Sequence, residues 1–448
     1  MNRNLRYLLV IVAFIWSLGS VCSSQAFFDN INQFELNNGL QVIVIEDHKA
    51  PIVKQMLFYK VGSINEAIGK GGLAHLLEHL MFRGTTRFSG QQFNQIMESN
   101  GAVSNAFTSQ DVTAYHQFFD VSRLEKMMEM EADRMQNLCI KEEDFAAERQ
   151  IVFQERKQRI DNNPAAKFYE ALKKILWQNH PYSRQVTGED SEILNLKLTD
   201  AEEFYRQYYT PDNAVLVLSG DIEPDKAKKL AEKYFGVVKG QSQIKKSDFP
   251  TLPQDYKASL LMRLSDVELG RMVNIYAAPS YNFNKDKIYA LEVLAEYMGG
   301  DKNSPLYQRL VIQDKKALNV DVSYNPISRS YGVFEISLIP IQHEGDDLFF
   351  GLKRAWDYAL RKLDNEQLDM TKKKLLADLV YLEDNPENIA ELVGYVAATD
   401  TDLQELKNYE KGIEQVTLED VLAAVAYLQN EAPQVSGILY PQKGDRYE

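Results

Sequence analysis

Cysteine is nearly absent from this chain, with two in 448 residues, Cys22 and Cys139. A disulfide framework is therefore not what holds the fold, and stability has to come from buried apolar area. Histidine is almost as scarce, with six, so any clustering of imidazoles carries information. Positive charge is in deficit: 50 Lys and Arg stand against 64 Asp and Glu, a net charge of -14. So acidic a body disfavours nucleic acid and anionic membrane surfaces as partners, and it is compatible with cationic peptides. Long apolar runs are missing as well. The one exception, Tyr7 to Val21, falls short of the roughly 20 residues that a membrane helix needs.

That stretch has the layout of an export signal. Arg3 and Arg6 precede it, and Ser24-Gln25-Ala26 offers small residues where a signal peptidase reads. Residues 1–26 are accordingly expected to be a signal peptide, with the mature chain periplasmic or secreted and an uncleaved anchor as the alternative. Val21 is too bulky for Cys22 to be a lipoprotein site. Removal of Arg3 and Arg6 changes the charge to -14 - 2 = -16 and leaves Cys139 as a lone thiol.

At 448 residues the chain is too long for one ordinary core. Alternating segments at Gln33 to Leu36 and Leu40 to Ile45 flank Asn37-Asn38-Gly39, a hairpin turn. Lys54 to Val61, Ala102 to Phe107, Thr113 to Phe119 and Ala214 to Gly220 read as further strands. Helices are expected at Leu73 to Phe82, at Phe93 to Ser99, from Ser122 to about Asp161 with a break near Asn137 to Lys141, at Ala165 to Trp177 and at Thr199 to Tyr208. The polar stretch from Val237 to Asp255 looks like a linker. Beyond it the order recurs: strand Met272 to Ala277, helix Lys287 to Met298, strands near Val320 to Tyr324 and Val333 to Ile339, then a helix from Asp346 to Leu363. Neither half alternates as βαβ, so the fold class is α+β: two similar halves, each an antiparallel sheet with helices packed on it. The expected division is 27–240, a linker at 241–255, and 256–448.

Two of the six histidines stand in His75-Leu76-Leu77-Glu78-His79. On a helix, residues four apart share a face, so both imidazoles can close on one metal ion while Glu78 borders the same face without ligating. The order is the reverse of the H-E-x-x-H zinc-protease helix. The bland alternative is a pair of surface histidines on an amphipathic helix. A catalytic zinc takes three protein ligands and keeps a position open for water. Glu148 and Glu155, seven residues apart and so two turns apart on one helix face, are candidates to complete such a site. A glutamate pair at that spacing is by itself more often a solvated face.

The pattern extends well beyond five residues. Val61-Gly62-Ser63, Asn65-Glu66, the run Gly72 to His79, Met81-Phe82 and Gly84-Thr85 stand in one order, followed by Glu148-Arg149, Val152 and Glu155. In these residues the chain resembles the pitrilysin and mitochondrial processing peptidase family of zinc metallopeptidases. Tyr209 to Ala214, Ser219-Gly220-Asp221 and Ser304 to Leu310 extend the resemblance over nearly all of the mature chain, more loosely after residue 221. The resemblance implies one Zn²⁺ per chain held by His75, His79 and Glu155, with Glu148 in support and Glu78 as the base that activates water. It implies an edge strand at Asn105, Ala106 and Phe107 on which an extended peptide pairs by its main chain, and it makes Arg309 a candidate substrate-binding arginine.

One departure stands out. Where the family has a tyrosine about ten residues after that arginine, this chain has Leu318 and Asn319, with Tyr324 late. Together with the half-length of the chain, this leads to the expectation of a dimer, possibly with a related subunit that lacks H-x-x-E-H and lends the missing groups. The implied activity is zinc endopeptidase; the alternatives are a catalytically silent structural subunit of the same fold and a peptide-binding chaperone. Retention of His75, Glu78, His79 and Glu155 together favours the enzyme. His116 and the turn His180-Pro181-Tyr182 are weaker candidates for substrate contact, and His48 and His343 read as loop residues.

Overall fold

The turn Asn37-Asn38-Gly39 closes a hairpin as expected. Gly39 is left-handed, with φ of 87°, and a Cβ there would meet Asp212 at 2.8 Å, so two constraints ask for glycine. In this computed structural model, which describes residues 28, 31–242, 249–341, 345–383 and 386–442, the strands form two sheets. The expected leader, the middle of the expected linker and His343 lie outside those residues. The first sheet contains β1 (Ile31–Glu35), β2 (Gln41–Glu46), β3 (Ile52–Tyr59), β4 (Val103–Thr108), β5 (Thr113–Asp120) and β6 (Ala214–Gly220). The second contains β7 (Lys257–Leu264), β8 (Arg271–Ala278), β9 (Ala317–Asn325), β10 (Gly332–Pro340) and β11 (Gln434–Pro441).

The strand orders, β1-β2-β6-β3-β5-β4 and β7-β11-β8-β10-β9, correspond strand for strand once β1 is set aside. Each sheet is antiparallel except for one parallel pair, β2 with β6 and β7 with β11. In both halves the last strand of the half inserts between the first two partners, a placement that local alternation cannot announce. Helix α1 (Leu73–Leu80) follows β3, and α2 (Glu142–Arg156) and α3 (Pro164–Trp177) follow β5. In the second half α4 (Ile288–Gly299) stands between β8 and β9, where α1 stands between β3 and β4, and α5 (Pro386–Ala398) precedes β11. The expected two-fold α+β layout is present. The strands β7 and β11, the helix Pro224–Tyr234 and the helices between Asn365 and Asn430 had no counterpart in the sequence reading.

The halves exchange helices. From the first half, α3 lays Phe168, Leu172 and Leu176 on Val273, Ile275, Val435 and Leu439 of the second sheet. From the second half, α5 lays Ile389, Ala390 and Val393 on Met56, Phe58, Val215 and Val217 of the first. Two glycines permit the close approach: a Cβ on Gly437 would meet Leu172 at 2.5 Å, and one on Gly394 would strike the Phe58 ring. Each fully buried aliphatic or Phe side chain in these layers contributes about 1.5–3 kcal/mol. Separating the halves would expose one face of each sheet.

Candidate metal centre

Helix α1 starts abruptly because its first turn is fixed from outside. Gly72 is left-handed, with φ of 84°, and a Cβ there would lie 2.7 Å from the Thr187 carbonyl. The Glu66 carboxylate takes the place of a side-chain cap, accepting from the Gly72 N–H at 3.2 Å and the Ala74 N–H at 2.9 Å. These bonds satisfy helix-end donors that would otherwise be buried without partners. Burial nonetheless pushes the Glu66 carboxyl well above its usual range. Leu73, Leu76, Leu77 and Leu80 then point into the core of the first half, and His75, Glu78 and His79 take the opposite side.

Helix α2 crosses α1 and supplies the carboxylates. Glu155 Oε2 lies 3.6 Å from His75 Nε2 and 3.5 Å from His79 Nε2, and the two imidazole rings are 4.9 Å apart at 82°. Those separations are too long for hydrogen bonds. They match the edges of a tetrahedron whose corners are about 2.0–2.2 Å from a central zinc. Ligand atoms of His75, His79 and Glu155 all lie within 4.8 Å of one another, and among the described residues no other group of His, Cys, Asp or Glu meets that test. Glu155 Oε2 is buried and accepts no hydrogen bond. A buried carboxylate oxygen that faces two imidazole nitrogens beyond hydrogen-bonding distance is a donor set that a cation fits. The other oxygen, Oε1, pairs with Arg159 Nη2 at 2.6 Å.

The electrostatics agree with a ligand set. Burial, with help from His79 and Arg159, pushes His75 down to about 3, so its ring stays neutral, as a ligand must be. Burial also works against the charge on His79, but its bond to Glu148 and the nearby carboxylates of Glu148, Glu78 and Glu155 outweigh it and raise the ring. Burial alone would raise Glu148, yet hydrogen bonds from His79 and Arg83 hold it below its ordinary value.

Glu78 is part-buried beside the cluster and raised above its ordinary value by burial, against the Thr108 hydrogen bond and the pull of His79. Thr108 Oγ1 donates to Glu78 Oε2 at 2.5 Å.

The other expected site residues fall in three places. β4 pairs only with β5, so its outer edge is open. Asn105 and Ala106 lie on this strand, with Asn105 Oδ1 accepting from the Ala106 N–H at 2.9 Å. Phe107 is there too, but its ring turns to the far face and packs edge-on against Phe58 at 6.2 Å, under α5. Arg309 sits in the second half, bonded to Asp314 at 3.0 Å and over the Tyr358 ring, so both partners belong to that half and neither to the His75, His79 and Glu155 cluster. His116 is beside Lys54 and Glu387, and burial with Lys54 pushes it down to about 4. His180 is buried, accepts from the Tyr182 N–H at 3.1 Å and meets Ser330 Oγ at 3.0 Å. The turn it shapes therefore bolts the halves together.

Sequence reasoning missed Arg83 and Arg159, and it placed Thr108 on the edge strand without its bond to Glu78; each of the three holds a carboxylate of the candidate centre. For two of them a signal existed: Arg83 follows His79 by four residues and Arg159 follows Glu155 by four, the spacing of neighbours on a helix.

Comparison with known proteins bears on the same residues. Residues 41–190 match the family model described as Insulinase (Peptidase family M16), and residues 195–375 match the one described as Peptidase M16 inactive domain. The zinc protease PqqE of Helicobacter pylori is 30% identical over 420 residues, covering 91% of this chain and 92% of that protein. The mitochondrial-processing peptidase subunit beta of Caenorhabditis elegans is 24% identical over 353 residues, covering 75% and 74%. The crystal structure of a protease from Helicobacter pylori superposes with a TM-score of 0.84 at 28% identity, over 92% of this chain and 99% of that one. The chain belongs to the M16 family of peptidases, the insulinase family.

Proposed function

We propose that this chain is an exported zinc endopeptidase that hydrolyses peptides or unfolded segments, with Glu78 as its general base. The observation that carries the reading is the triad of His75, His79 and Glu155, whose buried Glu155 oxygen lies between two imidazoles and has no hydrogen-bond partner among the described residues. His75, His79 and Glu155 would hold Zn²⁺, which when bound would supply Lewis acidity toward a peptide carbonyl and lower the pKa of a water toward neutrality. Glu78 takes the proton of the attacking water and returns it to the leaving amine. Glu148 fixes the His79 ring through Nδ1, and Arg159 holds Glu155 through Oε1.

The open edge of β4 at Asn105 and Ala106 receives the peptide by main-chain hydrogen bonds, and Phe107 contributes backbone there while its ring anchors the strand. Selectivity then comes from the walls of the cleft. Arg309 engages its own half. A dimer is proposed from the missing tyrosine, with a related subunit lacking H-x-x-E-H as the partner that faces the cleft and lends the absent groups. The proposed domains are 27–240 and 256–448 with a linker at 241–255, and α3 and α5 are exchanged between them. Export rests on residues 1–26; among the described residues no helix is long and apolar enough to cross a membrane.

The competing reading, a silent subunit of the same fold, requires that the complete set His75, Glu78, His79 and Glu155 be idle. Glu78→Gln decides between them. The enzyme reading expects this variant to bind one zinc per chain and to lose cleavage of a quenched peptide by about 10²–10⁴-fold, with chelator abolishing wild-type cleavage and Zn²⁺ restoring it. Wild-type turnover by Glu78→Gln would overturn the base, and no chelator-sensitive cleavage by the wild-type assembly would leave the silent reading.

A further inference from the structure

We propose that Thr108 is a positioning residue for Glu78, holding one carboxylate oxygen so that the other faces the metal-binding cluster, and tying the base to the strand that receives the peptide. This rests on the base role proposed for Glu78.

The geometry is specific. The Thr108 hydroxyl donates to Glu78 Oε2 at 2.5 Å, the only hydrogen bond that the Glu78 side chain makes among the described residues. A carboxylate on a helix can swing about its last torsion, a broad, two-fold rotor. One short bond to a fixed donor removes that freedom, and here the donor is well fixed. Threonine is stiff about χ1 because it is β-branched. Thr108 is also the last residue of β4, opposite Thr113 in the register, and the Thr113 hydroxyl donates to the Val61 carbonyl at 2.9 Å. The end of β4 is therefore pinned from β5 and from the segment after β3, while its outer edge stays open.

The consequence is a mechanical link. Residues 104, 106 and 108 of β4 share the face that looks toward α1, because side chains alternate along a strand. Peptide added to the open edge orders the same strand that carries the Thr108 hydroxyl. The base is thus aimed by the element that binds substrate, two residues from Ala106. Positioning of this kind acts on the transition state more than on ground-state binding, so it lowers kcat and leaves KM almost unchanged when lost.

The test compares Thr108→Val, which keeps shape and β-branching but lacks the hydroxyl, with Thr108→Ser, which keeps the hydroxyl. Both are assayed in the assembly in which the unmodified chain cleaves a quenched peptide, with zinc content and melting temperature measured on the same samples. Thr108→Val is expected to lower kcat about 10–50-fold, with KM within about twofold, one zinc per chain retained and an unchanged melting temperature. Thr108→Ser is expected to recover kcat to within about threefold of wild type. In a Glu78→Gln background Thr108→Val is expected to lower residual hydrolysis no further.

Wild-type kcat in Thr108→Val would overturn the proposal, as would equal loss in Val and Ser variants, loss of zinc, or a change confined to KM. If Glu78→Gln were inactive while Thr108→Val turned over normally, the positioning role alone would fail. Wild-type turnover by Glu78→Gln would instead remove the base reading on which it rests.

Discussion

His79 donates through Nδ1 to Glu148 Oε2 at 2.9 Å, and Arg83 holds the other oxygen of the same carboxylate. In the neutral ring that bond selects the tautomer of His79 with Nε2 bare and turned toward Glu155. Carboxylate partners of ligating histidines orient the ring and raise its basicity. They matter because an imidazole with the wrong nitrogen protonated cannot ligate at all.

Glu148→Gln should therefore weaken zinc binding about 10–100-fold, with little change in melting temperature of the metal-free protein. Competition against a chelator of known affinity measures this directly. Unchanged zinc affinity in the variant would mean that Glu148 serves Arg83 and not the centre.

Loss of the exchanged helices should be felt as a core mutation although they cross between halves. Leu172 on α3 is fully buried against the second sheet. Leu172→Ala should cost about 2–5 kcal/mol, the range for a buried leucine truncated in a packed core. Urea denaturation of both proteins gives the difference; a loss below about 0.5 kcal/mol, the scale of surface changes, would contradict the packing described for α3. Gly394→Leu is expected to be more severe, because its side chain would have to occupy the volume of the Phe58 ring.

A pH prediction follows from the contact that joins the halves. Tyr182 Oη donates to both Asp111 oxygens at 2.9 Å, and the Ser330 N–H donates to the same tyrosine oxygen. Burial pushes Asp111 up to about 6, against that hydrogen bond and Arg329, which pull it down. Its folded value thus exceeds its unfolded one. The stability it contributes is complete below about pH 4 and is lost as pH rises through about 6. Burial pushes nearby His180 down to about 4. Its contribution has the opposite sense, present above about 6.5 and lost as pH falls toward 4.

In the wild-type chain the two effects oppose one another between about pH 4 and 6.5. Asp111→Asn keeps an acceptor for Tyr182 and removes the titration, leaving His180 unopposed. Its melting temperature should drop more steeply than the wild-type value as pH is lowered from 6.5 to 4.5. Parallel curves for the two proteins would show that Asp111 is not the buried acid it is taken to be.

Local sequence was sufficient wherever the controlling interactions are close along the chain. Periodicity located α1 and the first-half strands to within a few residues, because apolar alternation and helical spacing are set by the faces these elements bury. His75, Glu78 and His79 share one side of α1 for the same reason, and Glu148 and Glu155 share one side of α2. What sequence left open was everything that depends on which element lies beside which. The insertion of β6 and β11 into their sheets, the exchange of α3 and α5, and the turn of Phe107 away from the cleft are decided by contacts between segments far apart in the chain. The approach of Thr108 to Glu78 is of that kind too: thirty positions separate them, and only the folding of β4 over α1 brings hydroxyl and carboxylate together. The chemistry of the centre was written in residue types and short spacings; its orientation comes from tertiary packing, because a rotatable carboxylate or imidazole is fixed only by the neighbour it meets.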